Sequence, residues 1–325
     1  PASVTTIGTS AFSQCSSLTH IDIPSGITRI EPGTFSKCEK LSSISIPQSI
    51  TYIGKKAFSS CYKLLTINLP NSVDTIKEGA FSYCEGLQTI EIPPLITRLE
   101  NDLFRGCSAL LTIHLHDNIE HIGDHCFRSC SSLSRVTIPS NVDSLGYSPF
   151  YACSSMTEAY FLGNAPSIIF NPFGANAQSF TYYYFSGKSG FTSPFWSRAQ
   201  SQAIDEATYP AARWLIDYGR SYNTSPETDD TGDGVPLLMA HALNLNPNDT
   251  LTTQLPEVII TGSTMNMTFY GQKAGIAYRV ETSKNLKDWT ETGVTVSQPN
   301  NEGFRTAAVT GADDCGFIRL SVDFE

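Results

Sequence analysis

The sequence predicts a mainly β fold, in which a solenoid of 23-residue repeats leads into a cap, a short helix-loop-helix connector and a small antiparallel β-sandwich. Two periodic columns of residues predict the solenoid. Phenylalanine recurs every 23 residues, at Phe12, Phe35, Phe58, Phe81, Phe104, Phe127 and Phe150. Cysteine follows three positions after each of them, at Cys15, Cys38, Cys61, Cys84, Cys107, Cys130 and Cys153. A strict period in the twenties is typical of repeats that stack on one another and do not fold alone.

Each repeat also carries the pattern of a short strand with one buried face. In the second repeat, Ile44 and Ile46 alternate with serine, and Pro47 follows. Alternation with a period of two places both isoleucines on the same side of a strand, and the proline ends the strand because it has no N–H to donate. Stacked copies would form a parallel sheet of about seven rungs, roughly 34 Å long at ~4.8 Å per rung.

These motifs resemble a known family of repeats. Residues 41–47 (LSSISIP) and 53–61 (IGKKAFSSC) are similar to the leucine-rich repeats of the BspA type. The resemblance runs from about residue 4 to about residue 200, because the segment after the repeats is similar to the terminal rung and cap of such arrays. It implies a leucine-rich-repeat solenoid in a bacterial or protist protein that is secreted or displayed on the cell surface, often as an adhesin. It implies no catalytic residues.

We assign residues 1–162 to the solenoid and residues 163–203 to a cap rich in aromatic side chains. These aromatic residues are Phe180, Tyr182, Tyr183, Tyr184, Phe185, Phe191, Phe195 and Trp196. An open solenoid end exposes its core, so the first expectation is that the rings cover that end. A platform for sugar rings is the alternative.

Residues 204–250 are predicted to be a helical connector. A short helix is expected over residues 209–219, with Thr208 as its N-cap and Gly219 at its end. A second helix is predicted by apolar residues that recur at helical spacing, at Leu238, Ala242 and Leu245.

The loop between these helices resembles half of an EF-hand or dockerin-type calcium site. Asp229, Thr231 and Asp233 would be ligands 1, 3 and 5, and Gly234 would be the turn glycine. Position 12, where an acidic residue should complete the shell, is Ala240. We therefore expect no required cofactor, and any calcium that binds here is expected to bind weakly. The alternative is a loop that keeps this shape without an ion.

Residues 251–325 alternate between apolar and polar positions in the manner of strands. The apolar positions form three sets: Met265, Met267 and Phe269; Ile276, Tyr278 and Val280; Ile318, Leu320 and Val322. Turn residues separate the sets, which favours a small antiparallel sandwich. The stretches 229–247 and 278–289 together resemble C-terminal modules of secreted proteins from environmental bacteria, for which surface attachment or sorting is the expected role.

The cysteines and histidines of the repeats are predicted to be structural. Neighbouring rungs would bring cysteine Cα atoms to about 5 Å, which a disulfide permits. We favour buried free thiols, because cysteine packs as a small apolar side chain at a tight corner. His121, His125, Cys126 and Cys130 have the residue types of a zinc site. The repeat register points the two thiols inward and the two imidazoles outward, so these groups are not expected to converge.

Two columns of outward residues flank the buried strand positions and form the candidate partner-binding surface. The residues assigned to it are His20, Asp22, Thr66, Asn68, Glu91, His114 and Arg135. Solenoids commonly bind through such a face. The columns hold no row of aromatic residues and no charge stripe, whereas aromatic residues and arginine usually anchor the hot spots of an interface. A solvated ladder of hydroxyl groups is therefore the alternative.

Composition narrows the possible partners. The net charge of −10 argues against nucleic acid, whose phosphates need a basic surface. No apolar run approaches the ~18 residues of a membrane span. The sequence opens inside a repeat, so we expect further sequence upstream of it, including any leader segment.

The sequence favours a binding protein over an enzyme. The repeats carry no nucleophile motif, no phosphate-binding loop and no converging pair of carboxylates. We expect an extracellular or cell-surface protein that binds or adheres to other proteins through the solenoid face. The alternative is glycan binding or surface attachment through the C-terminal β-sandwich.

Overall fold

The structure of the chain is a computed structural model that describes residues 3–191, 197, 199–209, 211–225, 227–229, 231–233, 235–261, 264–284, 286–310 and 317–324. Three residues named above lie outside the described residues: Phe195, Trp196 and Gly234. The chain divides into two compact units, Pro1–Asp205 and Glu206–Glu325. Within the described part of the chain, no helix has the length and apolar character needed to cross a membrane.

The first unit is built from short parallel strands. They are β1 (His20–Asp22), β2 (Arg29–Ile30), β3 (Ser43–Ser45), β4 (Tyr52–Ile53), β5 (Thr66–Ile67), β6 (Thr75–Ile76), β7 (Thr89–Ile90), β8 (Arg98–Leu99), β9 (His121–Ile122), β10 (Arg135–Ile138), β11 (Ser144–Tyr147), β12 (Glu158–Phe161), β13 (Ser167–Phe170), β14 (Thr181–Phe185) and β15 (Gln200–Ile204). The groups β1-β3, β5-β7 and β10-β12-β14-β15 form one row, which we call the first sheet. The groups β2-β4-β6 and β8-β9-β11-β13 form the second sheet. Partners such as His20 and Ser43 are one repeat apart, as the period predicts.

The phenylalanine column forms the centre of the solenoid core. Rings of successive repeats stack with centroids 5.2 to 5.7 Å apart and with planes within 16° of parallel. The rings from Phe35 to Phe150 are fully buried. Because parallel strands repeat every ~4.8 Å, identical side chains one repeat apart must meet in this way. The predicted solenoid of stacked 23-residue repeats is confirmed.

A residue with positive φ turns the chain two positions after each phenylalanine. This angle lies between 58° and 75° at Gln14, Lys37, Ser60, Tyr83, Gly106, Ser129, Ala152 and Ala175. The left-handed conformation costs about 1 kcal/mol for a residue that carries a Cβ. Hydrogen bonds between repeats stabilise the corner against this cost, for example from the Lys37 N–H to the Ser59 carbonyl at 2.7 Å.

The cysteine column satisfies carbonyl groups at the same corner. The described cysteines are free thiols. Those of the column from Cys38 to Cys153 are buried, whereas Cys15 is exposed, so the expectation of buried thiols holds for six of the seven column positions. Each buried thiol of this column donates to a phenylalanine carbonyl of the preceding repeat, over 3.0 to 3.2 Å. Burial raises the pKa of Cys153 to about 12. The column is therefore a row of hydrogen-bond donors, and its role exceeds that of apolar filling.

The segment 163–203, predicted to be a cap, continues the repeats. Phe173 stacks on Phe150 at 5.5 Å, and Asn176 takes the cysteine position, where its Oδ1 accepts the Cys153 N–H at 3.0 Å. β13 extends the second sheet, and β14 and β15 extend the first. Other rings of the segment pack into the solenoid core, at Phe180, Tyr182 and Phe191. These three rings thus cover the solenoid core, and they do so on additional rungs.

The second unit combines two short helices with two antiparallel sheets. Its elements are α1 (Ala212–Asp217), α2 (Leu237–Ala242), β16 (Val258–Thr261), β17 (Thr264–Tyr270), β18 (Ile276–Ser283), β19 (Val294–Val296), β20 (Phe304–Thr310) and β21 (Phe317–Phe324). One sheet has the order β16-β17-β20-β19, and the other pairs β18 with β21. Met267 and Phe269 of the first pack in one cluster with Val280 of the second. The three predicted sets of apolar positions lie on β17, β18 and β21, which confirms the antiparallel strands.

The first helix begins later than predicted. Thr208 is not its N-cap: Ala211 is the N-cap residue of α1, and it makes no side-chain cap hydrogen bond. The reason is local, because the Ala212 N–H donates to the Tyr209 carbonyl at 2.9 Å and closes a separate turn before the helix. Gly219 follows the last turn with a φ of 74° and ends the helix as predicted.

Candidate functional site on the first sheet

The outward face of the first sheet carries the residues assigned to partner binding. Six of them are exposed, at His20, Asp22, Thr66, Asn68, Glu91 and His114, and Arg135 is half-buried. They occupy two outward columns on successive rungs, so the structure places them along one surface. Their hydrogen bonds, however, differ from one part of that surface to another.

The N-terminal part of the face is occupied by its own hydrogen bonds. His20 Nδ1 lies 2.8 Å from Ser43 Oγ, and its Nε2 lies 3.1 Å from Asp22 Oδ1. Ser45 donates to the same Asp22 oxygen. The hydroxyl of Ser45 and the nearby His20 hold the pKa of Asp22 below its usual value. A partner would have to displace these bonds before it could use the groups.

The C-terminal part is closed by an ion pair. Arg135 Nη2 lies 2.8 Å from Glu158 Oε2, and both side chains are mostly covered. On the next rungs, the rings of Tyr160 and Tyr183 stack at 5.1 Å. Arg135 is therefore a poor candidate for direct partner contact.

The middle of the face holds polar groups that have no such bonds. The exposed side chains are Thr66, Asn68, Thr89, Glu91, Thr112 and His114. Among the described residues, none of these six side chains has a hydrogen-bond or ion-pair partner. Their donors and acceptors face solvent and are available to another molecule.

Two leucines, one position before Thr66 and Thr112, add apolar surface. Leu65 and Leu111 are each 51% exposed, and Gln88 lies on the rung between them. Elsewhere in this column the residues are polar, at Thr19, Ser42, Ser134 and Thr157. The sequence reasoning missed both leucines, although their departure from a polar column was the signal that could have found them. We call the six polar residues and these two leucines the central patch.

The carboxylates of the predicted calcium loop accept hydrogen bonds from backbone N–H groups. Asp229 Oδ1 accepts the N–H of Gly232 at 2.8 Å and that of Asp233 at 3.2 Å. Asp233 accepts the N–H of Val235 at 3.0 Å through one oxygen and the N–H of Leu251 through the other. These backbone donors, that of Leu251 first, hold the pKa of Asp233 below its usual value.

This donor set does not fit a complete calcium shell. Thr231 Oγ1 lies 3.3 Å from Asp229 Oδ1, so the predicted ligands are neighbours in the loop. Ala240, at position 12, is a buried methyl group on α2 and offers no oxygen from its side chain. Calcium binding by Asp229, Thr231 and Asp233 stays a prediction.

The four residues considered as zinc ligands are divided between the core and the surface. Cys126 and Cys130 are fully buried. His121 is partly exposed, with its Nδ1 2.8 Å from Ser144 Oγ, and His125 packs edge-on against a tyrosine ring. Burial is the main cause that lowers the pKa of His121. Within the described ranges, no three His, Cys, Asp or Glu side chains are grouped as a metal site.

The stacked core, the two parallel sheets and the polar outward face define a leucine-rich-repeat solenoid. A family model described as the BspA-type leucine-rich repeat region, with six copies, matches residues 1–111 and 53–179. Together the matches span residues 1–179, which is more than half of the 325-residue chain. The chain therefore belongs to the BspA-type leucine-rich-repeat family. The match does not reach residues 229–289, whose resemblance to C-terminal modules of secreted proteins stays a prediction.

Solved structures of leucine-rich-repeat proteins from bacteria are similar to parts of the chain. A protein of Bacteroides ovatus is 28% identical, with 63% of this chain and 59% of that chain covered and a TM-score of 0.49. A cell-surface protein of Faecalibacterium prausnitzii is 30% identical over 44% of this chain and 39% of that chain, with a TM-score of 0.42. The chain thus spans less than two thirds of either protein. A comparison with curated proteins finds no match.

Proposed function

We propose that the chain is a non-enzymatic binding protein that acts outside the cell or at its surface and contacts a protein through the central patch. One observation carries this proposal: in the middle of the first sheet, exposed polar groups without partners in the described chain lie beside two exposed leucines. The extracellular location rests on the resemblance to surface and secreted repeat proteins.

The chemistry of the central patch favours a protein over a glycan. Sugar rings usually pack on aromatic side chains, and the patch has none. Leu65 and Leu111 lie two rungs apart, about 10 Å. They suit the apolar side chains of a protein, while threonine, asparagine and histidine can pair with its backbone and polar groups. A standard interface buries about 800 Å² on each partner. Three rungs offer less than that, so the partner also contacts neighbouring repeats.

The test compares two exposed leucines of the same solenoid. Leu111→Asp places a charge in the central patch, whereas Leu95→Asp places the same charge at a leucine that is 56% exposed elsewhere in the repeat. The full chain and both variants are applied to an array of immobilised extracellular proteins and to a glycan array. We expect retention on at least one protein, reduced about tenfold or more by Leu111→Asp and unchanged by Leu95→Asp.

Other outcomes would reject the proposal. Equal loss with both leucine variants would show that the patch has no special role. Retention on glycans alone would favour the β-sandwich alternative, and so would binding that survives in both variants. No retention on any extracellular protein would count against adhesion through the solenoid.

A further inference from the structure

The second unit contains a cavity that is not part of the binding surface proposed on the solenoid. Its volume is about 360 Å³, at the lower end of the range for small-molecule sites, ~300–1,000 Å³. It lies between the start of α1, the loop after α1 and the start of α2. A cavity of this size suits a small molecule and not a polymer chain.

Two pairs of aromatic rings line the cavity. Trp214 and His241 meet edge to face with centroids 4.9 Å apart, and Tyr209 and Tyr222 do so at the same distance. Leu238 and neighbouring aliphatic groups complete the walls. Edge-to-face contact is the arrangement that aromatic rings prefer with one another, so a further ring can add to these walls.

The lining carries no formal charge at neutral pH. No Asp, Glu, Lys or Arg is among the described residues that line the cavity. Burial, assisted by the positive charge of Lys273, lowers the pKa of His241 to about 4, so the imidazole is neutral. An ionic ligand would lose its hydration without gaining a counter-charge, which excludes strongly charged molecules.

The rim supplies neutral hydrogen-bonding groups. Asn223 is exposed; its Oδ1 accepts from Ser221 Oγ at 2.9 Å, and within the described residues its amide N–H groups have no acceptor. Thr224 donates its hydroxyl hydrogen to the Ser221 carbonyl at 2.8 Å and keeps lone pairs free to accept. The cavity thus has apolar walls and a polar rim, an arrangement that is common in small-molecule sites.

We propose that this cavity binds a small, uncharged molecule that carries an aromatic ring. The ring lies between the two aromatic pairs, and a hydroxyl or N–H group of the ligand faces the rim at Asn223 and Thr224. The site is independent of the central patch, because its lining belongs wholly to the second unit.

The experiment uses phenol and indole as neutral probes and benzoate and benzylamine as charged counterparts of similar size. Binding to the full chain is followed by ligand-observed NMR. Ala211→Leu fills the cavity, and Tyr209→Ala removes part of its wall at a residue that is 36% exposed. Tyr62→Ala is the matched control, since that tyrosine is 37% exposed on the solenoid. Circular dichroism checks that each variant is folded.

We expect saturable binding of phenol or indole that weakens about tenfold or more in both cavity variants and is unchanged in Tyr62→Ala. Benzoate and benzylamine should bind at least tenfold more weakly than the neutral probes. The proposal is overturned if neither neutral probe binds, if the charged molecules bind equally well, or if both folded cavity variants keep full affinity. If Ala211→Leu does not fold, Tyr209→Ala alone decides. Leu111→Asp should leave probe binding intact, which separates this test from that of the protein-binding surface.

Discussion

The two units of this chain bury their apolar residues in opposite ways. In the solenoid, one residue type fills one column, and each phenylalanine touches its own copies above and below. In the second unit, small clusters of unlike residues form around single anchors, such as Trp214 in one cluster and Phe269 in another. Repetition makes a core that is continuous and uniform, whereas the unlike clusters allow a cavity and a buried histidine.

The largest expected effect tests the continuity of the phenylalanine column. Phe81 is fully buried between Phe58 and Phe104, at 5.5 and 5.7 Å. Phe81→Ala removes both ring contacts and leaves a cavity, so we expect a loss of about 3–5 kcal/mol in the free energy of unfolding. Phe12→Ala is the control, because that ring is partly exposed and, among the described residues, stacks only on Phe35. Denaturant unfolding monitored by circular dichroism measures both, and equal losses would contradict a core held by stacking on two sides.

The same contrast explains how much of the fold the sequence could predict. A column such as Phe12 to Phe150 can be read directly, because stacked repeats force like residues together. The sequence predicts a cap over residues 163–203, where the structure continues the rungs. The repeat pattern is broken there, because Asn176 replaces cysteine and β15 pairs with β14 at an offset of 19 residues, Gln200 with Thr181. Phe173, which keeps the 23-residue interval, was the signal available.

The left-handed corner could not be read from residue types. Lys37, Tyr83 and Ala152 share one backbone conformation, although their side chains have little in common. The conformation is imposed by hydrogen bonds to the next repeat, and these depend on the stacked structure as a whole.

The sequence could predict the outward face that carries the candidate site, but it could not predict the central patch within that face. The outward columns follow from the period of two, so His20, Glu91 and Arg135 could be placed on the surface. Which of them are already bonded depends on distances between rungs, such as that from Arg135 to Glu158. These distances become available only with the structure.

Acid should lower the stability of the second unit in particular, because this unit buries a histidine. The folded-state pKa of His241 is lowered to about 4 by burial and by Lys273, which itself faces Asp217. The unfolded chain, with an ordinary pKa near 6.5, then binds more protons than the folded unit between these values. Stability is therefore full above pH ~6.5 and is lost as the pH falls toward ~4, by about 1–3 kcal/mol.

His241→Gln provides the control for this prediction, since glutamine is neutral throughout the range. Thermal unfolding of both proteins at several values between pH 7 and pH 4, followed by tryptophan fluorescence, gives the dependence. The wild-type transition of the second unit should move to lower temperature in acid, and that of His241→Gln should move less. An identical pH dependence in the two proteins would assign it to other groups.

A smaller effect tests the thiols as hydrogen-bond donors. Cys84 Sγ donates to the Phe58 carbonyl over 3.1 Å. Cys84→Ala removes this donor and leaves a small void, at an expected cost of about 1–2 kcal/mol in the free energy of unfolding. Cys84→Ser keeps an O–H donor and should cost less than the alanine variant. The exposed Cys15 serves as control, because Cys15→Ala should change stability by less than about 0.5 kcal/mol. If serine proves worse than alanine, the column acts by apolar packing alone.

The smallest expected effect concerns the loop that resembles a calcium site, and it asks whether the second unit depends on an ion or on its own hydrogen bonds. Asp233 accepts from the N–H groups of Leu251 and Val235, so Asp233→Ala should lower the melting temperature of this unit with or without calcium. Because Ala240 supplies no ligand, we expect a calcium dissociation constant of about 1 mM or weaker. Calorimetric titration of the metal-free chain measures it, and Thr231→Ala should lower the melting temperature less than Asp233→Ala.

The lowered pKa of Asp233 adds a second readout. The contribution of Asp233 to stability is present above its ordinary pKa and is lost as the pH falls through the folded-state value, below the range in which His241 titrates. Micromolar calcium affinity, abolished by Asp233→Ala, would show instead that the loop is a working ion site despite its missing twelfth ligand.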